Sequence, residues 1–203
     1  MKLLVKRGID VALSSIALTL LSPLFLLLAV LVRISSPGPV LFRQARLGRS
    51  GRPFVILKFR TMHDKAEDLR NPDGSAYCGS EDARVTPLGR FLRKASLDEL
   101  PQLWNVWRGD MSLVGPRPDQ VDQLQYYSGD DMIKLSVKPG ITGLAQISGR
   151  NRINWRERKR LDVEYTRSWS LVQDCNILLR TIPYVVLGRD THERKHNGGF
   201  ESW

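Results

Sequence analysis

Two adjacent carboxylates, Asp98 and Glu99, are the side chains of this sequence best placed to do chemistry. They open an apolar, helix-like run that ends in the arginine-bearing loop 115–118 (GPRP). The first N–H groups of a helix lack partners and lie at the positive end of its dipole, so a helix start attracts anions. Carboxylates placed there among arginines suit a divalent cation joined to a phosphate. The sequence therefore predicts a functional centre within residues 96–118.

The same pair also has a purely structural interpretation. Ser96 and Glu99 fit a capping box, in which two side chains satisfy free N–H groups at a helix start. Pro101 favours a slightly later start with Asp98 as N-cap, because proline is tolerated in the first turn. The helix would then present one apolar stripe, formed by Leu100, Leu103, Trp104 and Trp107. The pair alone does not distinguish capping from catalysis.

Length and charge limit the possible partners. A chain of 203 residues fits one domain with a core of useful size. It carries 31 basic and 21 acidic residues, a net charge of +10, so we expect anionic partners such as nucleic acid, a lipid surface or phosphorylated substrates. The two cysteines, Cys78 and Cys175, match no metal-binding spacing.

The longest apolar segment predicts a membrane anchor. From Val11 to Val32 no residue is charged, and one straight helix over that length would span about 33 Å, enough to cross a bilayer core. Ser22 and Pro23 lie at its middle, where proline removes a backbone hydrogen bond and favours a break. Two arms of about 11 residues would each reach roughly half the core thickness.

Two topologies follow for this segment. Positive charge prefers the cytoplasmic side of a membrane, so basic flanks at both ends suit a re-entrant helix whose ends lie on that side. A single kinked span is the alternative, because membrane helices tolerate proline. The basic residues of the flanks are Lys2, Lys6 and Arg7 before the run and Arg33, Arg43, Arg46 and Arg49 after it.

The elements that follow would position the carboxylates. Residues 40–44 and 54–59 predict two short strands, and alternation puts Lys58 and Arg60 on one face of the second. Thr86 and Pro87 predict a helix start, and the helix to residue 94 brings Arg93 within five residues of Asp98. Residues 154–168 predict a charged helix, and the apolar stretch from 169 onward predicts a core or interfacial helix. The fold class is therefore α+β and mostly helical.

Several motifs in one order resemble a known family. The chain resembles the bacterial sugar transferases, the small monotopic phosphoglycosyl transferases that begin lipid-linked glycan assembly. Besides the basic, apolar Ser-Pro segment, the matching motifs are 58–62 (KFRTM), 96–102 (SLDELPQ), 109–118 (GDMSLVGPRP), 138–143 (KPGITG), 149–151 (GRN) and 161–165 (LDVEY).

The resemblance implies transfer of a phosphosugar from a UDP-sugar to polyprenyl (undecaprenyl) phosphate, with release of UMP. It implies Asp98 as the nucleophile, through an acyl-phosphate intermediate, and as a ligand of Mg²⁺. Glu99 would assist as a base or as a positioning group for the incoming acceptor. The implied phosphate-binding residues are Lys58, Arg60, Arg93, Arg117 and Arg150.

The resemblance also implies an organisation. Residues 1–36 would form a re-entrant helix broken at Ser22-Pro23 in the bacterial inner membrane. Residues 37–188 would form a catalytic domain on its cytoplasmic face, with a β-hairpin and interfacial amphipathic helices, and residues 189–203 a flexible tail. The expected partners are the UDP-sugar, the polyprenyl phosphate and membrane lipids, with no nucleic acid. The alternative function is that of a non-enzymatic, basic, membrane-anchored binding protein.

Overall fold

The structure is a computed structural model that describes residues 1–71, 74, 77, 79, 82–149 and 153–186. Its described part is mostly helical, as predicted. The helices are α1 (Lys2–Leu20), α2 (Ser22–Ser35), α3 (Pro87–Lys94), α4 (Gln102–Arg108), α5 (Leu144–Ser148), α6 (Trp155–Ser168) and α7 (Leu171–Val186). The strands are β1 (Leu41–Leu47), β2 (Pro53–Phe59), β3 (Ser112–Val114) and β4 (Gly140–Thr142). Short 3₁₀ helices cover Arg49–Gly51, Leu97–Glu99, Val121–Tyr126 and Gly129–Ser136.

The predicted break in the N-terminal helix is confirmed as a bend at Ser22-Pro23. α1 ends at Leu20, α2 begins at Ser22, and the Ser22 hydroxyl donates to the Thr19 carbonyl at 2.8 Å. The predicted arm lengths are wrong: the arms have 19 and 14 residues, because α1 begins at Lys2, well before the apolar run. Among the described residues no single helix is both long and apolar enough to cross a membrane, but α1 and α2 together pass that test as a pair bent by 63°.

The predicted hairpin is confirmed. β1 pairs antiparallel with β2, from Leu41 opposite Phe59 to Leu47 opposite Pro53. The first strand runs three residues beyond its predicted end. Leu47, Ile56 and Phe59 are buried, so the hairpin places one face against the core.

α2, the second arm of the predicted membrane anchor, packs against the rest of the protein. Leu28 and Val32 of α2 are buried in a cluster with Phe59 of β2 and Leu92 of α3. α3 begins as predicted, since the Thr86 hydroxyl accepts from the Gly89 N–H at 2.9 Å. The broken helix, the hairpin and the helix before the carboxylates therefore share one core.

A second sheet is one that the sequence did not predict. β3 pairs in parallel with β4, with Ser112 opposite Gly140 and Val114 opposite Thr142. The motif 138–143 therefore contains a strand. The backbones approach so closely that a Cβ on Gly140 would lie 2.1 Å from the Gly115 nitrogen. This contact fixes the start of the loop 115–118.

Candidate active site

The carboxylate pair lies on a 3₁₀ turn and not at the start of an α-helix. The turn spans Leu97–Glu99, and Ser96 precedes it in the left-handed region at φ +56°. The predicted N-cap at Asp98 is wrong, because α4 begins only at Gln102, with Pro101 at its N-cap. Ser96 makes no side-chain capping bond, so the capping-box interpretation of Glu99 is also wrong.

Glu99 instead binds two cations from distant parts of the chain. Its Oε1 accepts from Lys58 Nζ at 2.7 Å and from Arg117 Nη2 at 3.0 Å. Burial alone would raise the pKa of Glu99, but Arg117 and Lys58 outweigh it and hold that pKa far below its usual range. The structure thus brings three of the predicted site residues into direct contact, and the two positive groups favour the ionised form of Glu99.

Asp98 has the opposite character. It is 8 % exposed, and within the described part of the chain no hydrogen bond or ion pair reaches its carboxylate. Burial raises its pKa to about 6; Lys58 opposes that rise and the neighbouring Glu99 adds to it. A buried carboxylate without a partner is poorly stabilised as an anion, and such groups concentrate at functional sites.

Arg93 lies beside the pair without binding it directly. Its Nε donates to the Thr61 hydroxyl at 2.9 Å, and its charge helps to lower the pKa of Asp98. Arg93 was predicted to reach the site, and in this structure it acts on Asp98 through its charge and not through a hydrogen bond.

Arg60 does not lie at the carboxylate pair with Lys58, although only one residue separates them in the chain. β2 ends at Phe59, and Arg60 beyond it is 6 % exposed, with Nη2 donating to the Ser36 carbonyl at 2.6 Å and to its hydroxyl at 3.0 Å. Its Nε and Nη1 are buried without a partner among the described residues. The strand face that Lys58 and Arg60 were predicted to share is therefore not formed. Arg150 and the tail 189–203 lie outside the described residues.

A buried charge cluster that sequence reasoning missed begins two residues after Arg117. Its first residue, Asp119, accepts from Lys134 Nζ at 2.8 Å, and Asp162 accepts from the same nitrogen at 2.8 Å. We call these three residues the sealed cluster, because their side chains are only 1–3 % exposed. The motif 161–165 contained Asp162, but nothing in the sequence indicated its partner Lys134.

The chemistry of Asp98 fits a hard divalent cation. Among the described residues no group of three or more His, Cys, Asp or Glu side chains could hold a metal ion. Mg²⁺ is commonly bound by only one or two carboxylates, with substrate phosphates and water as its other ligands. Asp98, with free carboxylate oxygens, is the side chain of this site suited to that role.

Together these residues can act on an anionic phosphorus centre. Lys58 and Arg117 offer positive charge and N–H donors, and Asp98 offers an uncommitted carboxylate oxygen next to them. Cations near a phosphoryl group stabilise the charge that develops during its transfer. The arrangement therefore suits displacement at phosphorus with a carboxylate as the attacking group.

Comparison with known proteins identifies relatives over nearly the whole chain. Residues 1–188 match the sequence model of the family described as bacterial sugar transferase. The exopolysaccharide production protein ExoY of Rhizobium meliloti is 44 % identical over 198 residues, which cover 92 % of this chain and 88 % of ExoY.

Two further relatives have names that state a sugar. A UDP-glucose:undecaprenyl-phosphate glucose-1-phosphate transferase of Caulobacter vibrioides is 46 % identical over 186 residues, covering 88 % of this chain and 68 % of that protein. A UDP-galactose-lipid carrier transferase of Erwinia amylovora is 42 % identical over 196 residues, covering 91 % and 41 %.

Proposed function

The chain belongs to the bacterial sugar transferase family, and on that premise we propose that it transfers a sugar phosphate from a UDP-sugar to undecaprenyl phosphate through a covalent bond between Asp98 and phosphorus. Family membership and the names of the relatives support the enzymatic interpretation and sugar-phosphate transfer to a lipid carrier. The observation that carries the covalent route is the buried, unpartnered carboxylate of Asp98 beside the Glu99 ion pairs.

The reaction has two displacements at one phosphorus atom. In the first, an Asp98 oxygen attacks the phosphorus that bears the sugar, and the bond to UMP breaks, with UMP taking the electron pair. In the second, a phosphate oxygen of the lipid attacks the same phosphorus, and the bond to Asp98 breaks. The carboxylate is regenerated, and each step avoids direct attack of one large anion on another.

Lys58 and Arg117 lower the electrostatic barrier of both steps. Their charges attract two anionic substrates and oppose the repulsion between them. Glu99 holds both cations through one oxygen, so it fixes their positions relative to Asp98. Its strongly lowered pKa makes it a poor general base, because an effective base has a pKa near the working pH. We therefore assign Glu99 a positioning role.

Asp98 would also hold Mg²⁺ in this proposal. The ion would neutralise phosphate charge in the site when bound. Arg93 would assist by favouring the ionised form of Asp98.

The proposal includes a site at the cytoplasmic face of the inner membrane. A lipid phosphate must reach Asp98 at headgroup depth while the nucleotide sugar arrives from the aqueous side. The bent pair α1–α2 and the basic N-terminus support such an attachment, with the re-entrant topology as the expected form. Cysteines introduced at the exposed positions Leu3 and Pro37, in a variant whose Cys78 and Cys175 are replaced by serine, should both be labelled from the cytoplasmic side. Labelling from opposite sides would exclude the re-entrant topology.

UMP release tests the activity. Purified protein with Mg²⁺ and undecaprenyl phosphate should release UMP from at least one member of a UDP-sugar panel that includes UDP-glucose and UDP-galactose. Incubation with donor alone should add the mass of the sugar phosphate to the peptide containing Asp98. Normal turnover without that added mass would refute the covalent route, while salt-sensitive binding of anions without any turnover would favour the non-enzymatic alternative.

A further inference from the structure

The first turns of α1 carry polar residues on one face, directly before the predicted membrane segment. Lys6 and Asp10 are four residues apart and therefore lie on the same side of the helix. Asp10 is only 4 % exposed. A buried carboxylate at the edge of an apolar helix is costly unless it is bonded, so its partners indicate what this part of α1 does.

Those partners lie on the free edge of β3. β4 lies along the other edge of this strand. There the Ser112 N–H donates to the Pro139 carbonyl just before β4, and the Gly115 N–H just after β3 donates to the Thr142 carbonyl. On the free edge, Asp10 Oδ1 accepts from the Leu113 N–H at 3.0 Å and from the Ser112 hydroxyl at 3.1 Å. Lys6 Nζ donates to the Val114 carbonyl at 3.1 Å. Two side chains of α1 thus form the hydrogen bonds to this edge that a neighbouring strand would otherwise form.

The same face is tied to the C-terminal helices. Lys6 forms an ion pair with Asp174 of α7 at 2.5 Å. Asp174 also accepts from the Tyr165 hydroxyl at 2.7 Å and from the Trp169 indole N–H at 3.1 Å. The buried charges of this contact are therefore paired and hydrogen-bonded, which makes the docking of α1 specific.

A third residue of α1 binds the helix that follows the carboxylate pair. Arg7 donates to the Val106 carbonyl at 2.6 Å and to the Trp107 carbonyl at 2.7 Å. Both carbonyls lie at the C-terminal end of α4, where regular helical hydrogen bonds run out, and the Val106 carbonyl also accepts from the Gly109 N–H at 3.1 Å. A cation at that end suits the helix dipole.

We propose that Lys6, Arg7 and Asp10 are positioning residues of the active site, and that α1 is part of its scaffold as well as a membrane attachment. β3 leads directly into the loop that carries Arg117, and α4 directly follows the turn that carries Asp98. α1 binds β3 through Lys6 and Asp10, and it binds the end of α4 through Arg7. The inference depends on the proposed function, because its main measure is turnover.

The expected effect falls on the rate of the chemical step. Displacing β3 displaces Arg117, and misplacement of a catalytic group by about 1 Å can cost about 100-fold in rate. A helix that served only for membrane attachment would behave differently. Its variants would lose activity in membranes and regain it in detergent with a short-chain, soluble polyprenyl phosphate.

Two matched pairs of variants test this in detergent. Asp10→Ala removes the acceptor of both bonds, and Asp10→Asn retains an oxygen that can accept them. Lys6→Met removes the contacts to Val114 and Asp174. Lys2→Met removes an equal charge from an exposed residue for which the described structure shows no side-chain partner. We expect at least about tenfold lower kcat for Asp10→Ala and Lys6→Met, with KM changed less than about threefold, and near-parental kcat for Asp10→Asn and Lys2→Met.

Hydrogen exchange gives a readout that does not require turnover. Peptides containing Leu113 should exchange faster in Asp10→Ala than in Asp10→Asn. Parental kcat in detergent for both Asp10→Ala and Lys6→Met would overturn the proposal, and if Asp10→Ala does not fold, the pair Lys6→Met and Lys2→Met decides it. Failure of the proposed function is distinguishable, because the parent protein itself would then release no UMP.

Discussion

Two groups of charged residues, one including Arg117 of the loop 115–118 and one including Asp119 directly after it, differ in how completely their charges are paired. In the sealed cluster, Lys134 is bonded to Asp119 and Asp162, and Asp119 also accepts from the Tyr127 hydroxyl at 2.7 Å. In what we call the open cluster, Asp98, Glu99, Lys58 and Arg117, the cations bind Glu99 and their side chains are 17 % and 35 % exposed. Asp98 has no described partner.

Burial acts in the same direction in both clusters, but its consequence depends on the partners. Burial would raise the pKa of Asp119, yet Lys134 and Arg158 hold it far below the usual range. For Asp98 the burial effect prevails, and the pKa rises to about 6. Within the sealed cluster the pairing is strongest at Asp119, whereas Asp162 has one buried oxygen without a described partner, and burial raises the pKa of Asp162 despite Lys134. Asp98 differs from both, because no described side chain binds its carboxylate, and such groups concentrate at functional sites.

Removal of the Asp98 carboxylate should have the largest effect on turnover. Asp98→Asn keeps the size of the side chain but removes the attacking group, so we expect at least about 10³-fold loss of UMP release with the fold retained. Asp119→Asn is the matched control in the sealed cluster, and it should lose stability before it loses chemistry. Circular dichroism and UMP release separate the two. Equal turnover of Asp98→Asn and the parent would remove the distinction between the clusters.

Removal of a lysine should have opposite consequences in the two clusters. Lys134→Met leaves Asp162 without its ion-pair partner and leaves Asp119 with only Arg158, whose Nη2 lies 3.6 Å from its Oδ1. We expect a loss of about 3–5 kcal/mol in the free energy of unfolding, measured with urea. Lys58→Met should cost less stability, because the Lys58 side chain is partly exposed and Arg117 still binds Glu99. Its main effect should be lower turnover. Equal destabilisation by both changes would contradict the comparison.

Asp98 and Asp119 should also respond oppositely to pH. Asp98 must be ionised to attack, so kcat/KM of the parent should fall below about pH 6. Its folded-state pKa lies above the ordinary value of 3.8, so the native state binds the proton more tightly. The stability that this proton provides is therefore lost as the pH rises from about 4 to about 6, and the full cost is present above about pH 6. The pKa of Asp119 is lowered, so its contribution is present above its ordinary pKa and is lost as the pH falls further.

Unfolding experiments test this sign. At pH 7, Asp98→Asn should be more stable than the parent, by about 1–3 kcal/mol, and the gain should vanish near pH 4. Asp119→Asn should be less stable than the parent at pH 7. A parent whose stability shows no difference from Asp98→Asn between pH 4 and pH 7 would contradict the raised pKa.

Arg93→Gln should give the smallest effect. Arg93 lowers the pKa of Asp98, but Lys58 does so more strongly. The acidic limb of the kcat/KM profile should therefore move slightly upward in pH, with about twofold lower activity at pH 6 and little change at pH 8. A large loss at pH 8 would indicate that Arg93 binds substrate directly, as the sequence resemblance implies.

Local chemistry explains which elements were predictable. The break at Ser22-Pro23, the Thr86 cap and the helix start at Asn154, whose side chain accepts from the Glu157 N–H at 2.8 Å, each depend on residues within a few positions of one another. The hairpin is equally local, because five residues separate its two strands. In such cases the nearest neighbours in the chain are also the bonding partners.

Long-range contacts explain the failures. The parallel pairing of β3 with β4 joins two strands 28 positions apart. Each strand has only three residues, too few to show the alternation of apolar and polar residues that predicts a strand. Lys58 and Arg60 were assigned to one face by alternation, but the strand ends between them and the buried contact with Ser36 takes Arg60 away. The strand propensity of the segment cannot predict such a contact, because tertiary packing overrides that propensity.

The sequence by itself determined the family, the carboxylate pair and a set of candidate cations, because side-chain chemistry and the order of motifs are properties of the chain. Only the tertiary structure decided that Glu99 is bound by Lys58 and Arg117 while Asp98 is left without a described partner. The physical reason is that pairing depends on distances in space, which the sequence does not give. Burial raises the pKa of both carboxylates, and it is the position of the neighbouring cations that separates the pKa of Glu99 from that of Asp98.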